Sequence, residues 1–247
     1  MFSNIFNTFF YNPIYNGLIL LESSFSWMDL GVAVVLITLI IKLILFPLTK
    51  SSIRTQIQIK KIEPELNKLK EQHKDDKQAQ ALKMMELYRE NQIKPFSSFF
   101  LVLIQLPVLF ALYFVFLKSG LPEINTDILY SFVKTNAHIN NVNFLGFIDI
   151  TQKSLLLALT ASVSQFFQIR LVMPKIENKT SGEKTLKDDM MKNMQLQMKY
   201  VMPVFIFFVA YGLLSAVALY WTTSNLFMIA QELYMRKTIK AEENHGK

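Results

Sequence analysis

The chain has 247 residues, of which 51% are hydrophobic and only 18% are charged, below the roughly 25% that is usual in soluble domains. It contains no cysteine, which excludes disulfides, thiolate metal sites and cysteine nucleophiles, and no glycine motif for nucleotide phosphates. Three histidines, all in polar segments, form no helical pair of metal ligands, so neither a metal nor another cofactor is expected.

The N-terminal segment predicts a short amphipathic helix. Its apolar residues repeat with helical spacing at Phe2, Ile5, Phe6, Phe9 and Phe10. The other face is polar and the segment is too short to span a bilayer. We therefore expect residues 1–24 to lie in the extracytoplasmic membrane interface.

Long apolar blocks predict five transmembrane helices, since about 20 residues cross a hydrocarbon core of ~30 Å. The predicted spans are residues 27–48, 96–117, 154–173, 200–214 and 217–234. The segments between and after them are a charged helical hairpin (50–95), a polar loop (118–152), a basic loop (174–198) and a tail (235–247). The sequence thus predicts an all-α integral membrane protein with a helical hairpin in water.

The distribution of positive charge predicts the orientation. Residues 50–95 contain 11 of the 26 Lys and Arg, residues 170–199 contain 7, and the tail from Arg236 contains 4. Residues 118–153 contain 3, and residues 1–41 contain none. The positive-inside rule places the hairpin, the basic loop and the C-terminus in the cytoplasm and the N-terminus outside. Topology accounts for the net charge of +7, so no DNA partner is expected.

Lys42 is the most informative residue within the predicted spans. It precedes Leu48 by six residues and so lies about 9 Å inside the first span. A cation near the bilayer centre costs roughly 2.5–3.5 kcal/mol on insertion scales. Snorkelling towards the cytoplasmic headgroups is one explanation. Thr38 lies one turn earlier on the same face, which favours a polar stripe instead.

Uncharged polar residues recur in three other spans. They are Gln105 in the second, Thr160, Ser164, Gln165 and Gln168 in the third, and Tyr220, Trp221 and Asn225 in the fifth. Each alone is explained by interhelical hydrogen bonding, worth about 0.6 kcal/mol on average. Together with Thr38 and Lys42 they favour one water-filled cavity.

Several short motifs follow one another in a fixed order over roughly residues 15–237. They are Lys42–Lys50, Asp75–Gln78, Met84–Tyr88, Lys94–Phe96, Leu103–Pro107, Met202–Phe205 and Leu219–Asn225. In this order they resemble the YidC–Oxa–Alb family of membrane protein insertases, close to the minimal five-helix bacterial core.

The resemblance implies a hydrophilic groove that opens to the cytoplasm and to lipid and is closed on the outside. The family's buried cation is usually arginine, and the matching residue here is Lys42. The implied function is non-enzymatic: an insertase and chaperone in the cell membrane, acting on small nascent membrane proteins. Membrane lipids are implied partners, the ribosome and the Sec translocon are candidate partners, and a monomer is expected to suffice.

Two other functions stay open from the residues alone. A small-solute transporter or channel would use Lys42 as its selectivity charge and needs a path open to both sides. An intramembrane enzyme would need paired acids, a Ser/His pair or a metal set at membrane depth, and the sequence offers none.

Overall fold

A computed structural model describes residues 2–118, 121, 123–135, 137–173, 193–194 and 196–245. Most of the predicted basic loop, residues 174–198, therefore lies outside the described residues. The described chain is mostly helical, and its strands form a two-stranded antiparallel hairpin. This confirms the predicted helical class.

The elements are numbered in chain order. The helices are α1 (Phe2–Phe6), α2 (Asn12–Ser24), α3 (Leu30–Ile44), α4 (Phe46–Lys61), α5 (Glu63–Gln72), α6 (Lys77–Glu90), α7 (Ser97–Lys118), α8 (Ser131–Lys134), α9 (Leu155–Val172), α10 (Met202–Gly212) and α11 (Ser215–His245). The π-helical turns Asn7–Tyr11 and Gln197–Val201 precede α2 and α10, and a 3₁₀ turn covers Thr126–Ile128. The strands are β1 (Asn143–Phe144) and β2 (Ile148–Asp149).

Length and hydropathy single out α9 as the helix of the described chain that could cross a membrane unaided. Helices α3 and α4 pass the same test if they form one interrupted span, and Leu103–Leu117 of α7 is a shorter apolar stretch. The count of five spans stays a prediction.

The break between α3 and α4 lies at Leu45. Helix α4 restarts at Phe46, with Pro47 in its first turn. Proline lacks an N–H group and fits the first turn of a helix, where that group has no intrahelical partner. Phe46-Pro47 therefore explains why α3 ends where it does.

The chain divides into two compact units. The first comprises residues 1–43 and 106–233, and the second comprises residues 44–105 and 234–247. The first unit holds the large hydrophobic core, to which α2 contributes Tyr15, Leu18 and Ile19, all fully buried. The N-terminal segment thus contributes core residues through α2.

Buried polar groups of α2 hold a distant segment of the first unit. The Tyr15 hydroxyl accepts a hydrogen bond from the backbone N–H of Asn125 at 2.8 Å. Asn16 donates to the Ile128 carbonyl at 2.9 Å and accepts from the Tyr130 N–H at 2.6 Å. These bonds satisfy backbone groups that regular secondary structure leaves unpaired.

Glu22, at the end of α2, is fully buried. Its Oε1 accepts hydrogen bonds from the backbone N–H groups of Asn140 and Asn141, and its own carbonyl accepts from the Asn140 side chain at 2.9 Å. Burial raises the pKa of the Glu22 carboxyl above its ordinary value, and the two N–H donors oppose that shift. The carboxyl group fixes the segment before β1 against α2.

Asp29 joins the start of α3 to the β-hairpin. One carboxylate oxygen accepts from the Val32 N–H at 2.7 Å, as a helix cap does, and the other accepts from the Leu145 N–H at 2.9 Å. Leu145 and Gly146 form the turn with positive φ angles of 52° and 79°. Because a non-glycine residue is strained there, the bond from Asp29 helps to hold the turn in place.

Gly31 is expected to be essential for packing against this turn. A methyl group at Gly31 would lie 2.6 Å from Cβ of Phe144, whereas one at Gly212, at the end of α10, would contact nothing within 4 Å. Gly31→Ala should therefore be less stable than Gly212→Ala by about 1–3 kcal/mol, the usual cost of overpacking. Unfolding of the two variants in matched detergent micelles measures this difference. Equal stability would show that Phe144 and the turn shift to accommodate the methyl group at no cost in stability.

The second unit contains a small hydrophobic cluster of its own. Ile62, Leu66 and Ile93 are buried, with Met84 and Tyr88 of α6 packed against them. The turn between α5 and α6 is closed by Asp76, whose Oδ1 caps α6 by accepting from the N–H groups of Gln78 and Ala79 at 3.0 and 2.9 Å. The predicted hairpin segment thus contains a helix pair with a narrow apolar seam.

Candidate functional site

Polar side chains of α9 and α11 meet in the first unit. Thr160 and Thr222 place their hydroxyl oxygens 3.3 Å apart. The amide of Asn225 donates to the Ser164 hydroxyl at 3.1 Å. Because Thr160 and Ser164 are four residues apart on α9, as are Asn225 and Trp221 on α11, each set lies along one side of its helix.

Gln165 is the centre of this arrangement. Its Oε1 accepts from the indole Nε1 of Trp221 at 3.1 Å and from the amide of Asn225 at 3.2 Å. Its own amide donates to Oε1 of Gln168 at 3.1 Å. We call this hydrogen-bonded set, together with the Thr160–Thr222 pair, the polar ladder. Its members are Thr160, Ser164, Gln165, Gln168, Trp221, Thr222 and Asn225.

Burial varies among the members of the polar ladder. Asn225 and Ser164 are only 4% and 6% exposed, whereas Gln165, Gln168 and Trp221 are half-buried. A half-buried amide can exchange its present partner for water or for a polar group of another chain. The ladder is therefore a row of donors and acceptors within otherwise apolar helices.

Thr38 and Lys42 lie one turn apart on α3, and both are buried. The Thr38 hydroxyl donates to the Val34 carbonyl of its own helix at 2.6 Å, so its donor is already used. Lys42 is 4% exposed and lies in the last turn of α3, where the carbonyl end of the helix favours a cation. The first unit thus contains a buried lysine as well as the ladder.

Two further predicted site residues were not included in the ladder. Tyr220 is 3% exposed and belongs to the hydrophobic core. Gln105 is half-buried and belongs to the second unit. A role for either residue in the site stays a prediction.

Two hydroxyl groups outside the predicted site join α9 to its neighbouring helices. Thr222 bonds Thr160, and Ser162 donates to the Pro203 carbonyl at 2.8 Å, which joins α9 to α10. Thr222 follows Trp221 in a conspicuously polar run of the sequence, and that run could have identified it as a site residue. Ser162 had no such signal, because a single serine in an apolar helix usually bonds its own backbone.

Side chains that could bind a metal ion do not cluster in the described part of the chain. No group of three or more His, Asp or Glu side chains that could hold a metal ion occurs among the described residues. The chemistry available at the ladder is hydrogen bonding.

Comparison with known proteins identifies the family. The model of the family described as 60Kd inner membrane protein matches residues 20–243. The chain belongs to this family. The resemblance to the YidC insertases is thereby confirmed, and the chain is a membrane protein.

Relatives in this family cover most of the chain. A protein of Clostridium tetani named membrane protein insertase YidC is 34% identical over 216 residues, which are 87% of this chain and 84% of that protein. The protein of the same name from Fusobacterium nucleatum is 32% identical over 209 residues, covering 85% and 87%. Membrane protein insertase YidC 1 of Bacillus anthracis is 32% identical over 219 residues, covering 86% and 74%. The polar ladder, Thr38 and Lys42 all lie within the region that matches the family.

Proposed function

We propose that this chain is a membrane protein insertase and chaperone of the cell membrane, which moves short polar segments of small membrane proteins across the bilayer. The names of its YidC relatives support this role. The observation that carries the proposal is the polar ladder, because its half-buried Gln165 and Gln168 amides can exchange their present partners for water or for a polar group of a client. The role requires no covalent bond to be formed or broken, and the chain is not an enzyme.

The proposed topology has the five predicted spans, with the N-terminus outside and the C-terminus in the cytoplasm. It rests on the positive-inside rule and on the apolar character of the spans. In this topology α3 and α4 form one interrupted segment. Its apolar part crosses the membrane and its charged part enters the cytoplasm as the first arm of the hairpin at residues 50–95.

The proposed groove lowers the cost of moving a polar segment. In hydrocarbon each unsatisfied backbone or side-chain polar group costs several kcal/mol. The ladder amides offer hydrogen bonds, directly or through water, part of the way across, and the Thr38 oxygen can accept one. Lys42 attracts carboxylates in the segment that crosses.

Burial of the client's apolar segment supplies the driving force. The hairpin receives that segment from the cytoplasm while the groove hydrates the polar flank. The apolar helix then leaves sideways into lipid, where its surface is removed from water. Clients with one or two spans and short translocated tails fit this route. A single copy of the chain is expected to suffice, and the ribosome and the Sec translocon are candidate partners.

Reconstitution tests this proposal. Liposomes that contain only this protein should insert a client with one span and a short acidic tail, measured as protease protection of the tail. Gln165→Leu removes the two ladder bonds that Gln165 accepts and the one that it donates, so insertion should fall roughly twentyfold if each bond contributes about 0.6 kcal/mol to transfer. Gln152→Leu, at an exposed position just before α9, is the matched control and should insert normally.

Two outcomes would oppose the proposal. Equal insertion by Gln165→Leu and wild type would remove the ladder from the mechanism. Release of a small anionic dye from the same liposomes, without client transfer, would favour the channel instead.

A further inference from the structure

The second unit contains a basic cleft with a volume of about 300 Å³ at the base of the hairpin segment. Three cations line it: Lys50 and Arg54 from α4, and Lys94 from the segment that leads into α7. Ser51, Thr55 and Gln58 add hydrogen-bonding groups along α4. No Asp or Glu is among the described residues that line this cleft. Its chemistry suits an anion with several oxygen atoms.

An apolar cleft of about 430 Å³ adjoins the basic one, since Ser51 and Lys94 line both. Its other walls are mainly Leu48, Phe96 and Phe100. The two phenylalanines are 61% and 55% exposed. A charged cleft and an apolar cleft that share a wall fit a molecule with an anionic head and a hydrocarbon chain.

Ser97 supplies an independent sign of a ligand. It lines the apolar cleft and is 8% exposed, yet its hydroxyl has no hydrogen-bond partner among the described residues. A buried hydroxyl without a partner is unfavourable, and such groups commonly bond a ligand or water. Ser97 is also the first residue of the 22-residue helix α7, whose N-terminal end carries partial positive charge.

The backbone beside the basic cleft is held in an uncommon conformation. Gln92, which lines that cleft, has a φ angle of 53°. Its N–H donates to the Arg89 carbonyl and the next residue, Ile93, bonds back to Tyr88 at 2.8 Å, so the chain turns sharply there. This turn brings Lys94 to the edge that the two clefts share.

We propose that the paired clefts bind one anionic phospholipid, with the phosphate at Lys94 and Ser51, the headgroup among Lys50 and Arg54, and an acyl chain against Phe96 and Phe100. A phospholipid satisfies both halves of the site at once. A nucleic acid or an acidic peptide would satisfy the basic cleft and leave the apolar one open to water. In the proposed topology the site lies at the cytoplasmic headgroup level, where anionic lipids attract basic pockets.

Binding is measured with the full-length chain in detergent by native mass spectrometry, and no client is present, so the result does not depend on insertase activity. Phosphatidylglycerol should bind at least about tenfold more tightly than phosphatidylcholine. The triple variant Lys50→Gln, Arg54→Gln, Lys94→Gln should reduce this preference to about twofold or less, since each basic group near the lipid contributes about fivefold. Circular dichroism checks that the variant keeps its helix content.

A second triple variant controls for charge alone. Lys60→Gln, Lys68→Gln and Lys74→Gln remove three exposed charges of the same unit that line neither cleft. This variant should keep the wild-type preference for phosphatidylglycerol. If both triple variants lose the preference equally, the attraction is diffuse and the site is refuted.

The acyl half of the site is tested with the variant Phe96→Trp. Fluorescence of Phe96→Trp, taken as the difference from wild type, should be quenched by phosphatidylglycerol brominated on its acyl chains. Brominated phosphatidylcholine at the same mole fraction should quench it much less. Tight binding of glycerol phosphate or of a single-stranded RNA without quenching by the lipid would overturn the proposal and leave a site for phosphate alone.

Discussion

Lys42→Glu is expected to abolish insertion of clients whose translocated tails are acidic, while Lys42→Arg should preserve it. The reason is charge: Lys42 is buried in the last turn of α3, and a carboxylate there would repel the acidic tail that the lysine ammonium group attracts. A pair of unit charges at about 4 Å interacts by about 4 kcal/mol at an effective dielectric constant of about 20. Even a fraction of that energy changes the insertion rate more than tenfold. The measurement is protease protection of the client tail in liposomes.

Lys42→Ala separates charge from folding. It should impair clients with acidic tails and spare clients whose tails carry no charge. Purification yield and unfolding in detergent show whether the variant folds. If Lys42→Ala inserts every client at the wild-type rate, the buried charge has no part in transfer.

Deleting the hairpin helices is expected to stop client delivery and leave the first unit folded. Replacing residues 63–90 with a short Gly/Ser linker removes α5 and α6 but keeps Ile62 and Ile93. The apolar seam in this region is small, and much of its surface is exposed. Its loss should therefore reduce the folding stability of the rest of the chain only slightly. Client insertion should fall to the background level of empty liposomes.

A point variant provides the matched control for this deletion. Leu66 is 4% exposed in the seam, and Leu66→Ala should loosen the helix pair by about 2–5 kcal/mol without shortening the chain. Insertion by this variant should lie between wild type and the deletion. Unfolding of the first unit on deletion would show instead that the hairpin is a structural element.

The sequence alone predicted much of the polar ladder. Residues four apart on a helix share a face, so Thr160, Ser164 and Gln168 were expected to form one stripe and Trp221 and Asn225 another. Length and hydropathy likewise identified the apolar segments, and ordered motifs identified the family. These features depend on local spacing, which a sequence displays directly.

Features that join distant parts of the chain were not predictable. Glu22 bonds Asn140, 118 residues away, and nothing in a lone glutamate after an apolar run identifies its partner. Similarly, spacing could not show that Gln165 accepts from Trp221 and Asn225 at once. The break at Leu45 had a signal in Pro47, but the apolar run continues past it, and hydropathy alone predicted one unbroken span.

Access of water to the ladder tests the central claim most directly, and the absence of native cysteine makes the measurement simple. Gln168→Cys and Asn225→Cys are placed separately in vesicles of known orientation and treated with a membrane-impermeant thiol reagent from either side. Exposed controls are Gln72→Cys in the hairpin and Ser26→Cys before α3. Both ladder cysteines should react from the cytoplasmic side, as Gln72→Cys does, and be protected from the outside, where only Ser26→Cys reacts. Equal labelling of the ladder from both sides would mean a continuous pore, and no labelling from either side would mean a dry helix contact; each result contradicts a groove open to the cytoplasm.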